Sequence, residues 1–151
     1  MADHIRKQIR DAAETALTGL TTTGASVFPS RTRPLDADEL PGLRVYCKDE
    51  PEIRIAAVGA GLNRVRLERH VELVVEACSK KVSATDDQAD AMIKEVEIAI
   101  AGVQTLGGAK RAHLTRIETD FEGDGEHEIA VARMVFDVLY FTVLNAPDVA
   151  I

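Results

Sequence analysis

The 151 residues are the length of one domain, and at 46% apolar and 28% charged they exclude the low-hydrophobicity composition of a disordered segment. A formal net charge of -7 argues against a protein that neutralises phosphate backbones, the step from which most nucleic-acid affinity arises. No stretch approaches the ~20 apolar residues that span a bilayer, and the charged start MADHIRKQIRDAAETAL lacks a secretory core, so a cytoplasmic setting is expected.

Ile5, Ile9, Ala12, Ala13, Ala16, Leu17 and Leu20 recur three and four apart, with Asp3 placed to cap a first turn. The spacing predicts an amphipathic helix over residues ~3–20, ended by the threonines at 21–23 and by Gly24. Val27 and Phe28 form a short strand stopped by Pro29, and Pro34 with Asp36, Asp38 and Glu39 marks a loop. After Pro41 the residues Leu43, Val45 and Cys47 fall on one face of a half-buried strand. Residues 49–63 contain Pro51, Gly59 and Gly61 and show no sustained period, so a long, mobile connection is expected there.

Residues 64–78 have a period of two: Val65, Leu67, Val71, Leu73, Val75 and Ala77 on one face, Arg66, Glu68, His70, Glu72 and Glu76 on the other. Caps and acidic residues at 83–87 then start a second helix, ~86–105, with the stripe Ala89, Met92, Ile93, Val96, Ile100 and Val103, stopped by Gly107 and Gly108. A strand over ~111–121 alternates loosely around Leu114, Ile117 and Phe121, and the glycine-rich acidic run at 122–126 turns it back as a hairpin. The last strand, ~128–144, is apolar on both faces. Ala130, Ala132, Met134, Phe136, Val138 and Tyr140 lie on one, and Val131, Val135, Leu139 and Phe141 on the other, broken only by Arg133 and Asp137. Such a strand needs cover on both sides, which makes Val131, Val135, Leu139 and Phe141 the candidate oligomer interface. The order predicts an α+β fold, a mixed but mostly antiparallel sheet with two helices packed on it, in a single domain over 1–151; the short links speak against parallel pairing.

No constellation here carries chemistry. Cys47 and Cys78 have no C-x-x-C partner and read as free, mostly buried thiols. Among the histidines, His127 sits between Glu126 and Glu128 in the hairpin turn, but no H-E-x-x-H or H-x-H occurs, and His70 among Glu68 and Glu72 reads as a cross-strand polar partner. Gly59 and Gly61 complete no phosphate-binding motif and lead into a strand, so no helix N-terminus follows to hold a phosphate. The alternation of Asp120, Glu122, Asp124 and Glu126 lacks the spacing of a calcium loop, and no serine has a G-x-S-x-G setting. No catalytic, cofactor-binding or metal-binding residue is named. Arg64, Arg66 and Arg69 are the best local basic patch, without aromatic residues between them to stack bases.

The ordered stretches LTTTGASVFPSR at 20–31, LPGLRVY at 40–46, RLERHVELVVEA at 66–77 and the closing strand before Asn145, Ala146 and Pro147 span most of the chain. In order and overall length they resemble the tail terminator family of long-tailed bacteriophages and prophages, the minor tail protein U type. The resemblance implies a mixed α and β fold that assembles as a six-fold ring on the last ring of the tail tube. There it stops tube polymerisation and presents a surface to the head. It implies no enzyme activity, no cofactor and no membrane. The implied partners are other copies of the chain, the tail tube protein and a head-neck connector protein, with DNA passing through but not tightly bound. The implied place is the virion tail, after assembly in the host bacterial cytoplasm. In such a ring Arg64, Arg66 and Arg69 are candidates for salt bridges between subunits. A head-completion or neck protein is the alternative of the same class, and a small-ligand or metal-dependent enzyme the alternative of a different one.

Overall fold

In the computed structural model the described residues are 2–29, 32, 34–61, 64–80, 85–103, 105–123 and 128–151. They form an α+β fold of two helices on a six-stranded, mostly antiparallel sheet. Helix α1 spans Ile5–Leu17 and α2 spans Thr85–Ala101; the strands are β1 (Val27–Phe28), β2 (Gly42–Cys47), β3 (Glu52–Ala57), β4 (Arg66–Lys80), β5 (Arg111–Glu122) and β6 (Ile129–Val143). The sheet order is β1-β2-β4-β6-β5, with β3 also paired to β4.

The apolar stripe of α1 is the one the spacing predicts, with Ile5, Ile9, Ala13 and Leu17 buried, but its ends differ. His4, not Asp3, is the N-cap: its Nδ1 accepts from the Arg6 N–H at 3.1 Å, while Asp3 accepts from Lys7 Nζ at 2.8 Å. At the other end Thr18 is already extended, and Gly19 accommodates the turn with φ 92°. Helix α2 stops at Ala101, before the glycine pair, which instead closes a short 3-10 turn at Leu106–Gly108 packed against α1.

Two further expectations are overturned. Residues 49–63 are not all connection: β3 pairs antiparallel with β4, Glu52 opposite His70 and Ile55 opposite Leu67. Strands β2 and β3 lie end to end along one side of β4, with residues 48–51 opposite only Val71 and Glu72, so the two strands are one long run broken by a bulge. Pro51 sits in the bulge, where its missing N–H costs no ladder bond. Parallel pairing also occurs, between β1 and β2, because the 29–41 link is long enough for a crossover.

In β5 a bulge at Thr115 explains the loose alternation: Leu114 faces Phe136 and Ile117 faces Met134, so residues three apart share a face. The Thr115 hydroxyl donates to the Val135 carbonyl at 2.9 Å. One sheet face, carrying Leu43, Val45, Val71, Leu73, Val75, Met134, Phe136, Val138 and Tyr140, packs with α1 and α2 into the main core. Each of these large side chains contributes roughly 1.5–3 kcal/mol on burial. The other face alternates charged rows with two small apolar clusters.

Candidate assembly surfaces

The face turned away from the helices is built from cross-strand rows. In one row Arg44 of β2, Glu76 of β4, Arg133 of β6 and Glu118 of β5 stand opposite one another in register. Arg44 Nη2 donates to Glu76 Oε2 at 2.7 Å and to Glu122 Oε1 at 2.9 Å; Arg133 lies 3.5 Å from Glu76 and 3.7 Å from Glu118. Arg44 and Glu76 are buried, at 4% and 2% exposure, so this is a desolvated pair rather than surface decoration. Burial opposes the charge on Arg44, but the hydrogen bond to Glu122 and the charge of Glu76 outweigh it and raise its pKa. Tyr46 roofs the adjoining row, covering Val74 and Val135, and burial together with its hydrogen bond to Glu76 pushes its hydroxyl up to about 12.

Cover for the second face of β6 comes in part from the chain itself. Val131 packs with Leu35 and Cys78, and Val135 with Tyr46 and Val74, leaving them 2% and 1% exposed. Leu139 and Phe141 are half-buried, and Arg66 lies over the Phe141 ring at 5.7 Å from its centroid. A cleft of about 590 Å³ opens beside Leu35, with Asp36, Ala37, Leu40, Lys80 and Ile129 in its lining.

The three arginines do not form one patch. Arg64 and Arg66 are exposed, whereas Arg69 turns to the helix side and grips Glu50 with Nε and Nη2, each at 3.1 Å. Glu50, thrown inward by the bulge, also accepts from the Tyr140 hydroxyl at 2.5 Å and lies 3.7 Å from Arg6. Arg6 Nη2 in turn donates to the Lys48 carbonyl at 2.8 Å. This half-buried node ties the start of α1 to the bulge, to β4 and to β6. No sequence signal marked it, because Glu50 falls in a stretch without a period. The Arg44 row was half visible, as charges on the face opposite the apolar one, but the partners emerge only from strand register.

Of the cysteines, Cys78 is buried and Cys47 half-buried, both as free thiols, and burial raises them to about 12 and about 11. His70 is a cross-strand polar partner as expected, its Nδ1 3.0 Å from Asp137 Oδ1 on β6. His127, Asp124 and Glu126, on which the metal and calcium readings turned, lie outside the described residues. Among the described residues no group of three His, Cys, Asp or Glu is placed to hold a metal, and no helix is long and apolar enough to cross a membrane.

The edges of the sheet are the least covered part. Every residue of β3 is exposed, Ile53 at 50% and Ile55 at 63%, and on β5 Ile117 and Phe121 are 41% and 55% exposed. No protein-family model matches the chain, and no curated protein does. Among solved structures, a chain from the virion of a native gene transfer agent particle is similar over 90% of each chain, with 16% identity and a TM-score of 0.40. A likeness of that degree carries no inference about what this chain does.

Proposed function

We propose that the chain is a non-enzymatic structural subunit of a phage-like virion, of the tail-terminator kind, which closes the tail tube as a homohexameric ring and offers the head-joining surface. The observation that carries this reading is apolar surface that two helices and the chain's own loops leave uncovered or only partly covered: Ile53 and Ile55 of β3, the half-buried pair Leu139 and Phe141, and Ile117 and Phe121 of β5. A monomer with free strand edges and exposed aliphatic side chains is built to be covered by something else. The stretches that carry the family resemblance also fall in defined places. Residues 66–77 lie in β4, 40–46 lead into and form most of β2, and Asn145, Ala146 and Pro147 form the turn that folds the terminus back on β6 and α1.

In this reading Leu139 and Phe141 face a neighbouring subunit, while Val131 and Val135 pack within their own. Arg64 and Arg66, rather than Arg69, meet acidic groups of the next copy. The acidic surplus lines a passage that DNA crosses without sticking. The partners are further copies, the tail tube protein and a head-neck connector, in a virion tail assembled in a bacterial cytoplasm.

The test is Leu139→Lys. Because Leu139 is only half-buried, the variant is expected to keep its circular dichroism and melting behaviour but to lose ring formation by light scattering and binding to purified tail tubes. A folded variant that still caps tubes removes the interface. Wild-type protein that binds DNA-filled heads and ignores tubes favours the head-completion alternative.

A further inference from the structure

We propose that His70 is a proton-operated latch on β3, whose doubly protonated ring holds that strand against β4 and whose deprotonation releases the free sheet edge. The inference rests on His70's surroundings alone and is independent of the tail-terminator reading.

Both ring nitrogens face groups that can only accept. Nδ1 is 3.0 and 3.1 Å from the two carboxylate oxygens of Asp137, and Nε2 is 3.1 Å from Glu68 Oε1. A neutral imidazole has one N–H and one lone pair, so either tautomer would aim a lone pair at a carboxylate at hydrogen-bonding distance. Only the imidazolium satisfies both contacts. Because the carboxylates sit on opposite ring nitrogens they cannot converge with His70 on one metal ion, and the ligand this arrangement fits is a proton.

Strand β3 depends on this cluster more than other strands would. It has no buried side chain, and the main-chain ladder and the Arg54–Glu68 ion pair at 3.8 Å carry a correspondingly larger part of its hold on β4. Glu52 stands directly opposite His70, and Arg54 lies 3.0 Å from Glu52 and 3.8 Å from Glu68. The charged groups facing the ring are therefore Glu52 and Arg54 from β3, Glu68 and Glu72 from β4, and Asp137 from β6. On β5, His113 stands opposite Asp137, Arg111 opposite Leu139, and Arg116 reaches Glu72 at 3.6 Å. With His70 neutral, the carboxylates of Glu52, Glu68 and Asp137 face a ring without charge, Arg54 pairing with Glu52 and Glu68, and like charges across adjacent strands are destabilising.

The direction of titration agrees. Burial lowers the His70 pKa, but the hydrogen bonds to Glu68 and Asp137 and the charges of Asp137 and Glu52 outweigh it, leaving the value above 6.5. A group raised on folding contributes stability that is complete below its unfolded value and is lost as pH rises through its folded value. The latch is thus closed at low pH and opens as pH rises through the raised His70 value.

The test combines NMR titration of the His70 ring with amide exchange of the full chain at several pH values, corrected for intrinsic rates. The expected result is titration above 6.5, with protection of residues 52–57 lost as pH passes that value while α1 and the central part of β6 stay protected. His70→Gln, which keeps polar contacts but not the charge, is expected to show weak β3 protection independent of pH. Titration at or below 6.5, flat β3 protection in the wild type, or a pH step that survives in His70→Gln would each overturn the proposal. Should the variant not fold, the wild-type titration and exchange decide alone.

Discussion

Replacing Gly107 with alanine tests a close backbone approach, where the 3-10 turn at Leu106–Gly108 meets α1. Two separate costs arise. Gly107 has φ 59°, and a left-handed residue with a Cβ costs about 1–2 kcal/mol. The added Cβ would also stand 2.5 Å from Ile9 N and 2.6 Å from the Gln8 carbonyl carbon and oxygen. These are backbone atoms inside a helix and cannot rotate away, so α1 must shift, and overpacking of this kind costs about 1–3 kcal/mol. The sum is about 2–5 kcal/mol, a large part of the ~5–15 kcal/mol that holds a domain together. Urea denaturation measures it directly, and at this chain length melting falls by roughly 3 °C for each kcal/mol. Gly19→Ala supplies the reference: Gly19 has φ 92° but nothing within 4 Å of a built Cβ, so that variant carries the conformational cost alone. If Gly107→Ala is no more destabilising than Gly19→Ala, α1 does not rest on the turn in the way described.

Glu76→Ala is expected to destabilise by about 3–5 kcal/mol in urea, because it strips the nearest carboxylate from buried Arg44 and from Arg133; recovery of most of that loss in an Arg44→Met, Glu76→Leu pair would identify charge burial as the cause. Both thiols should react slowly with a disulfide reagent at pH 8 in the native protein and fast in denaturant, since values of about 11 and about 12 leave almost no thiolate; prompt native reaction of Cys78 would contradict its burial. Duplex DNA should bind weakly even at low salt, where attraction to phosphate is least screened; tight binding abolished by replacing Arg64 and Arg66 would overturn the passive passage.

The parts of the fold legible in the sequence were those with an unbroken period. The stripe of α1, the two-residue alternation of β4 and the doubly apolar β6 each carry many residues in one pattern, and tertiary packing only shifted their ends, β4 running on to Lys80. What escaped was set by interruptions. The bulge at 48–51 hides that β2 and β3 are one run, since Pro51 and the later glycines read as loop, and the bulge at Thr115 scrambles β5 by one residue. The candidate surfaces follow the same division. Val131, Val135, Leu139 and Phe141 read alike in the pattern as apolar residues needing cover, whereas the cover over Val131 comes from Leu35, in a segment with no periodic signal at all. Whether Arg69 points outward or inward depends on Glu50, which only the bulge brings beneath it.

The row of alternating charge has a consequence for how the two longest strands find each other. If β6 slid two residues along β4, every side chain would keep its face, and the helix-side layer of Val71, Leu73 and Val75 would still meet aliphatic or aromatic partners. Nothing in the apolar core forbids that mistake. On the other face, however, a slide one way sets Glu76 against Val135 and Asp137 against Val74, and a slide the other way sets Arg133 against Val74 and Glu76 against Val131. Each misaligned arrangement buries a carboxylate or guanidinium beside a valine, so the polar row rejects alignments that the hydrophobic layer would accept.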